Sequence, residues 1–401
     1  MSEQELPNLM QVRAFVRVAE VGSVSRASEL LFRAQSVITR AIADFESRLA
    51  APLFERHANG MRLTDYGDCV LPRARRVLAE LDSVPGVLGA PAVEPLYLFQ
   101  ARRLEVFVKL CETRHMQTVA SHFGLSQPAV SSALKVLEGG CGQPLFERTP
   151  RGLQPTPASQ EILFPIRRAL NELRHIDSDL SAMHGSLQGV VHVGALPLGR
   201  SRILPEAILR FTAAHPLVQV ITNESPFDLL ATELRVGDVD FVLGALRSAD
   251  YASDLSGEAL ITEQIVLLAR RGHPLLQGQG QGQGQGTLAG VRQARWVLPR
   301  SGSPARRQLD ACFAAAGLSA PRPVVESADL AIIRGLLLHS DMLAAVSEHQ
   351  LAHELASGEL QRLPLTLPGT DRAIGLTCRN GCLHSPAAAA LMACIRQVIA
   401  E

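Results

Sequence analysis

Apolar positions near the start of the chain recur in helical register. Leu9, Val12, Phe15, Val16 and Ala19 share one face and predict a helix over 9–20, stopped by Gly22-Ser23. Ser25 to Leu31 repeat the pattern briefly. A third helix is predicted from about Gln35 to Leu49, where Ile38, Ile42, Phe45 and Leu49 must point inward. Its opposite face presents Gln35, Ser36, Thr39, Arg40 and Ala43. Three short helices, the last with small polar and basic groups outside, fit a helix-turn-helix DNA reader. Residues 52–64 read as two strands around the Asn59-Gly60 turn, a wing offering Arg56, His57 and Arg62 to phosphates. From Thr64 a helical pattern runs to about Leu81, with Pro72 expected to kink or break it. The stretch 83–95, with Pro85, Gly86, Gly89, Pro91 and Pro95, reads as a linker.

The pattern then starts again. Pro52-Leu53-Phe54-Glu55-Arg56 returns as Pro144-Leu145-Phe146-Glu147-Arg148, an offset of 92 residues read directly from the sequence. The same offset carries Phe15 to Phe107, Gln35 to Gln127, Glu46 to Glu138, Gly60 to Gly152, Thr64 to Thr156 and Arg76 to Arg168. Two runs of about seventy residues are therefore copies of one module. The second recognition helix begins Ser126-Gln127-Pro128. Ser126 suits the cap, and Pro128 lies in the first turn, where no intrahelical N–H is needed. Val130, Leu134 and Leu137 go inside, leaving Gln127, Ser131 and Lys135 as an exposed row beside Ser132. The first copy has Ala34 at the cap but keeps Arg40, where the second has Ser132.

After residue 186 the period changes. Val190–Ala195, Val218–Ile221 and Asp240–Gly244 read as strands with helical patterns between. The alternation restarts at Gln264–Leu268 and continues through Arg295–Leu298, Val324-Val325 and Met342–Val346. Near Thr366 it returns through Ala373–Thr377 to a last helix from about Ser385. Such alternation predicts parallel α/β sheets in two lobes joined by crossings, with a cleft between. Gln-Gly repeated five times over 277–286 reads as a lengthened, flexible surface loop.

Composition adds exclusions. The chain of 401 residues is 47% hydrophobic and 19% charged with zero net charge, ordinary for a multidomain globular protein. Residues 1–185 hold 21 Lys+Arg against 20 Asp+Glu, so any nucleic-acid surface must be a local patch. Lys109 and Lys135 are the only lysines. Seven irregularly spaced cysteines fit a reducing compartment. The first residues show no leader pattern and no apolar run spans a bilayer, so the expected place is the cytoplasm. His349 and His353 have zinc-ligand spacing but lack the general-base Glu between them. Cys378 and Cys382 have no clear electropositive neighbourhood beyond Arg379, which argues against a redox pair, and the sequence shows no catalytic constellation. The chain is expected not to be an enzyme and to hold no cofactor or metal.

Ser126-Gln127-Pro128-Ala129-Val130-Ser131, the Pro144–Arg148 run, Arg151-Gly152 and Thr156 resemble the winged helix of LysR-type transcriptional regulators. The first copy follows more loosely, through Phe15, Ser23, Ala27, Gln35, Arg40, Pro52–Arg56 and Leu63-Thr64. The C-terminal half is similar to that family's effector domain through Gly194–Pro197, Leu204-Pro205, Gly237–Asp240, His273–Leu275, Trp296–Pro299 and Gly358–Leu360. The resemblance implies an α/β multidomain chain: two helix-rich winged helix-turn-helix domains (8–66 and 99–157) followed by a two-lobed domain shaped like a periplasmic binding protein (188–401). Residues 67–98 are then helix and linker, and 158–185 a dimerisation helix with the stripe Leu163, Ile166, Leu170, Leu173, Ile176 and Leu180. Lobe I is expected at about 188–260 and 366–401, and lobe II at about 261–365.

It further implies a sequence-specific regulator whose partners are double-stranded DNA, a small-molecule effector, further copies of itself as dimer or tetramer, and RNA polymerase as a candidate, with no membrane. Expected DNA contacts are Gln35, Ser36, Thr39, Arg40, Arg56 and Arg62 in the first module. In the second they are Gln127, Pro128, Ser131, Ser132, Lys135, Arg148 and Arg151. The effector, expected to be a carboxylate, is placed against Leu198, Gly199, Arg200 and Ser201, then Ser225, Pro226 and Phe227, and across the cleft Ser301, Gly302, Ser303, Ser327 and Ser347. Hydroxyls and N–H groups at helix starts suit an anion. Two alternatives stay open. One is a cytosolic small-molecule-binding protein in which one or both helical modules serve oligomerisation and not DNA reading. The other is a regulator whose first module is only an interaction surface.

Overall fold

The computed structural model describes residues 6–58, 60–90, 94–150, 152–247, 251–277 and 287–401. Asn59, Pro91, Arg151 and the 278–286 part of the Gln-Gly tract lie outside them. Two compact units result. The first runs to Gly189 and takes in Arg235–Asp238 and Leu383–Ala387; the second holds the remainder.

In the first unit the duplication is structural. Helices α1 (Leu9–Val21), α2 (Val24–Leu30) and α3 (Gln35–Leu49) are followed by strands β1 (Phe54–His57) and β2 (Gly60–Leu63) and a long helix α4 (Asp65–Val87). Their counterparts are α5 (Ala101–Thr113), α6 (Met116–Phe123), α7 (Gln127–Cys141), β3 (Phe146–Thr149), β4 (Gly152–Pro155) and α8 (Pro157–Met183). The wing ladders pair in equivalent register, Phe54 with Leu63 and Phe146 with Pro155. Glu46 accepts the N–H groups of Leu53 and Phe54 at 2.7 and 3.1 Å, and Glu138 does the same for Leu145 and Phe146 at 2.9 and 3.4 Å. Each wing is also tied back to its first helix. The Met61 N–H donates to the Gly22 carbonyl at 2.8 Å and the Leu153 N–H to the Arg114 carbonyl at 3.0 Å. This closeness requires glycine at both wing turns. Gly60 has φ +126° and an added Cβ would come within 2.3 Å of the Gly22 oxygen; Gly152 has φ +102° and the distance would be 2.9 Å.

The helix α4 corrects two expectations. It runs unbroken through Pro72 and Pro85, so the segment up to Val87 is helix and not linker. A helix-interior proline costs about 3 kcal/mol. What offsets this is packing: Val70, Ala74, Val77, Leu81 and Val84 are all fully buried. Their spacings of four and three residues form the seam of a coiled coil. That seam packs on α8, where Ile162, Ile166, Ala169, Leu173 and Ile176 are equally buried. One hydrophobic core runs continuously through both modules and both long helices. Ile166, Leu173 and Ile176 of the stripe expected to join α8 to a second subunit thus lie in the seam with α4 of the same chain, Leu170 and Leu180 are also buried, and Leu163 is half-buried.

The second unit contains two five-stranded sheets. One has the order β6-β5-β7-β14-β8, with β5 Gly189–Ala195, β6 Val218–Asn223, β7 Phe241–Ala245, β8 Leu255–Glu263 and β14 Arg372–Arg379. The other has the order β11-β10-β12-β9-β13, with β9 Ile265–Arg270, β10 Arg295–Leu298, β11 Val325–Glu326, β12 Met342–Ser347 and β13 Leu360–Arg362. These sheets are mixed where parallel ones were expected. β14 lies antiparallel to β7 and β8, and β9 lies antiparallel to β12 and β13. The strand β8 has no expected counterpart, and it carries lobe I on to Glu263 before the chain crosses at Gln264.

Candidate nucleic-acid interface and effector site

The third helix of each module buries one face and presents the other. In α7 the Ser126 hydroxyl caps the start, accepting the Ala129 N–H at 3.3 Å. Val130, Leu134, Leu137 and Cys141 are buried, while Gln127, Pro128, Ser132 and Lys135 are exposed. Ser131 is only half-buried, so the expected exposed row narrows to Gln127 and Lys135 with Ser132 beside them. In α3 the cap position is Ala34, in extended conformation and without a side-chain hydrogen bond. Gln35, Ser36, Thr39 and Arg40 are all exposed. Two of them already have neighbours: Gln35 donates to Ser25 Oγ at 2.8 Å, and Arg40 lies 3.8 Å from Asp44. The wing arginines Arg56, Arg62 and Arg148 are exposed on their strands. Arg151, also expected to contact phosphate, lies outside the described residues. A helix with three or four polar, solvent-facing side chains at its first turns, flanked by strand arginines, can place donors against base edges and cations against phosphates.

The expected effector residues all fall at the carboxyl ends of strands, where α/β sheets bind ligands. Their environments differ. Leu198 and Gly199, just after β5, are buried, and a Cβ on Gly199 would meet the Leu243 side chain at 2.8 Å. Phe227 is 4% exposed and packs with Leu196, Leu230 and Val242. Ser347 is fully buried and donates to Glu263. Leu198, Phe227 and Ser347 are therefore parts of the packed framework and not open ligand contacts. Ser303 caps the helix Pro304–Ala315, accepting the Arg306 N–H at 3.3 Å, and Ser327 accepts the Asp329 N–H at 3.1 Å. Ser301 donates to Glu326 at 2.9 Å. Ser225 is half-buried, and Arg200, Ser201, Pro226 and Gly302 are exposed.

Sequence reasoning missed Arg247. It follows β7, its guanidinium sits 4.2 Å from the Phe227 ring centroid, and it is half-buried. Burial lowers its pKa, partly opposed by Tyr251 and Asp228 and reinforced by Arg307 of the other lobe. A desolvated cation with a second cation nearby is a strong attractor for an anion. The available signal was slight: a lone arginine two residues past a buried strand.

The Cys378 thiol is pushed up to about 12 by burial first, then by Cys382 and Glu258. It is therefore not a reactive thiolate. Among the described residues no cluster of three or more potential metal ligands occurs, and no helix is long and apolar enough to cross a membrane.

Comparison with known proteins agrees with this geometry. The pattern of the bacterial regulatory helix-turn-helix protein, lysR family, matches residues 9–68 and again 101–160, and that of the LysR substrate binding domain matches 184–400. The HTH-type transcriptional regulator GalR of Pseudomonas putida is 80% identical over 401 residues, all of both chains. The HTH-type transcriptional regulator GbpR of Azospirillum brasilense is 31% identical over 60% of this chain and 69% of its own. Among solved structures, a full-length OxyR variant from Pseudomonas aeruginosa has a TM-score of 0.56 at 20% identity, matching 74% of this chain and 97% of its own. CbnR, a LysR family transcriptional regulator, has a TM-score of 0.52 at 20% identity, matching 75% of this chain and 99% of its own. About a quarter of this chain is thus surplus to those folds, which is the size of one extra module. The chain belongs to the LysR family of DNA-binding transcriptional regulators and joins two of that family's helix-turn-helix modules to one substrate-binding domain.

Proposed function

We propose that α3 and α7 are both reading helices. Gln127, Ser132 and Lys135 face base edges in the major groove for the second module, and Gln35, Ser36, Thr39 and Arg40 do so for the first. Pro128 and Ser131 shape and border the α7 surface, and Arg56, Arg62, Arg148 and Arg151 hold phosphates. The observation that carries this reading is α7: every apolar side chain on its inner face is buried, its start is capped, and its polar face stays open. A footprint of the full chain on its own upstream region, beside Lys135→Ala at fixed salt, tests it. Loss of protection by the variant supports the role; an unchanged isotherm refutes it.

We further propose that the substrate-binding domain takes a small carboxylate between its lobes. Arg247 would meet its charge, and Arg200, Ser201, Ser225, Ser301, Gly302, Ser303 and Ser327 would border it. Supporting this are the desolvated guanidinium and the capped helix starts of the opposite lobe, whose dipoles favour an anion. Carboxylates that raise the melting temperature of the wild type but not of Arg247→Ala would support the assignment; equal shifts in both would refute it. On this reading the protein acts by binding, without catalysing a reaction, in the cytoplasm beside the chromosome and RNA polymerase. Homo-oligomers, dimer or tetramer, would assemble through surfaces other than the α4–α8 seam.

A further inference from the structure

We propose that one chain supplies both halves of a two-reader DNA clamp, so that a single copy spans two neighbouring half-sites of unlike sequence. The inference rests on the reading of α3 and α7 as DNA-contacting helices and concerns how they are paired.

The pairing surface is the seam between α4 and α8. Tyr66 near the start of α4 meets His184 just past the end of α8 at 3.2 Å, and Glu80 further along α4 meets Arg168 at 2.6 Å. The helices are therefore antiparallel. The 92-residue offset turns Glu80 into Glu172 and Arg168 into Arg76. Arg76 does lie beside Glu172, at 3.6 Å. Exchanging the copies converts one ion pair into the other. That is the signature of an isologous, two-fold interface, in which residue i meets j and j meets i. The buried seam obeys the same exchange, since Val70, Ala74, Val77, Leu81 and Val84 become Ile162, Ile166, Ala169, Leu173 and Ile176. The first unit is thus a pseudo-dimer made from one polypeptide.

One lock breaks the symmetry and explains why the seam stays within the chain. Arg73 is 2% exposed and binds Glu172 at 2.7 Å and also Asp179. Its counterpart in the second copy is Pro165. If two α8 helices from separate chains paired in this register, Asp179 would face Pro165 and lose its cation. If two α4 helices paired, Arg73 would face Glu80 and Val87 and lose its bidentate partner. Only α4 against α8 satisfies the buried charges, and buried polar groups are known to fix coiled-coil partners in this way. The two reading helices then differ. Ser36 and Arg40 stand where the other has Pro128 and Ser132, so the half-sites they select differ too.

The test uses the full chain and a duplex selected by it from a random library. Hydroxyl-radical footprints are compared for the wild type, Thr39→Ala with Arg40→Ala, and Ser132→Ala with Lys135→Ala, all at exposed positions. In each pair of neighbouring half-sites, the first variant is expected to weaken one by about tenfold or more and the second variant the other. Neighbouring half-sites that weaken together with one variant and ignore the other would overturn the proposal. A second arm needs no DNA. Glu80→Arg and Arg168→Glu are each expected to lower the urea midpoint, and both changes in one chain to restore it. The two single variants, mixed in urea and refolded together, are expected to stay low. Restoration in the mixture would show pairing between chains and overturn the proposal. A library that yields no bound duplex would overturn the DNA reading itself, and the second arm would still decide the pairing.

Discussion

Replacing Arg73 with alanine is the sharpest test of the energetics. Its guanidinium holds Glu172 and Asp179, and it donates at 3.2 and 3.1 Å to the Leu383 and His384 carbonyls, which belong to the same compact unit. Burial works against the charge, but hydrogen bonding and attraction from Asp179 and Glu172 outweigh it, and the pKa is raised. Arg73→Ala would leave Glu172, 6% exposed, with only the looser Arg76 contact, and would take from Asp179, 14% exposed, its guanidinium partner. Stranding one side of a buried pair costs about 3–5 kcal/mol. For a body of this size that is a fall of roughly 6–20 °C in melting temperature. The assay is urea or thermal unfolding by far-UV circular dichroism, with fluorescence of the single tryptophan as a separate channel. Trp296 is fully buried in the second unit, so the fluorescence reports that unit alone. The loss is expected in the dichroism signal. A companion variant, Arg73→Met with Glu172→Leu and Asp179→Leu, is expected near wild-type stability, because apolar replacement of all members removes the stranded charge. A loss below about 1 kcal/mol for Arg73→Ala would refute the buried-charge argument.

Three further outcomes are expected. Lys135→Ala should weaken binding to a selected duplex by about 1–3 kcal/mol if the ammonium reads a base, measured by anisotropy at constant salt. Ser126→Ala should cost about 1 kcal/mol through the lost cap of α7, and Ala34→Ser should add a similar amount to α3; hydrogen exchange in the two helices checks both. Glu258 is held below its ordinary range chiefly by its hydrogen bond to Arg396, and Glu401 likewise by Arg210. A depressed carboxylate stabilises the fold above its ordinary value, near 4.5, and that contribution disappears as pH falls through the lower folded value. Arg396→Gln should therefore flatten the acid limb of a stability–pH curve, and an unaltered limb would contradict the assignment.

What could be read from the sequence was whatever is written locally or twice. The phase of Ile38, Ile42, Phe45 and Leu49 marks the buried face of α3, and a repeated Pro-Leu-Phe-Glu-Arg run marks two wings. The Ser126-Gln127-Pro128 start marks α7. Features set by distant partners were not legible. Pro72 argues for a break until the packing of α4 on α8, about a hundred residues away, is known. The strand Leu255–Glu263 is missed because its outward positions alternate poorly and its partner β14 comes more than a hundred residues later. The same holds in the effector domain. Ser347 looks like a ligand hydroxyl until Glu263, 84 residues distant, is seen to accept its hydrogen bond. Phe227 reads as a loop residue until Leu196 and Val242 close over it. Removing the first module by truncation within 83–95 would strip α4 from α8 and expose the seam, so point substitutions are the cleaner probe of each module.

The pairing of α4 with α8 also changes how such a regulator evolves. Where two identical chains form the reader, every substitution in the reading helix is made twice, and both halves of each operator must follow at once. If α3 and α7 each read a half-site, as proposed, a mutation in one copy touches one half-site only. The two copies differ at the exposed positions 40 and 132, arginine in one and serine in the other, while both keep the Pro-Leu-Phe-Glu-Arg run of the wing and an apolar seam. A promoter can then accept a changed half-site without losing its hold on the other. Because both modules are translated in one chain, their pairing does not weaken when a cell contains only a few copies.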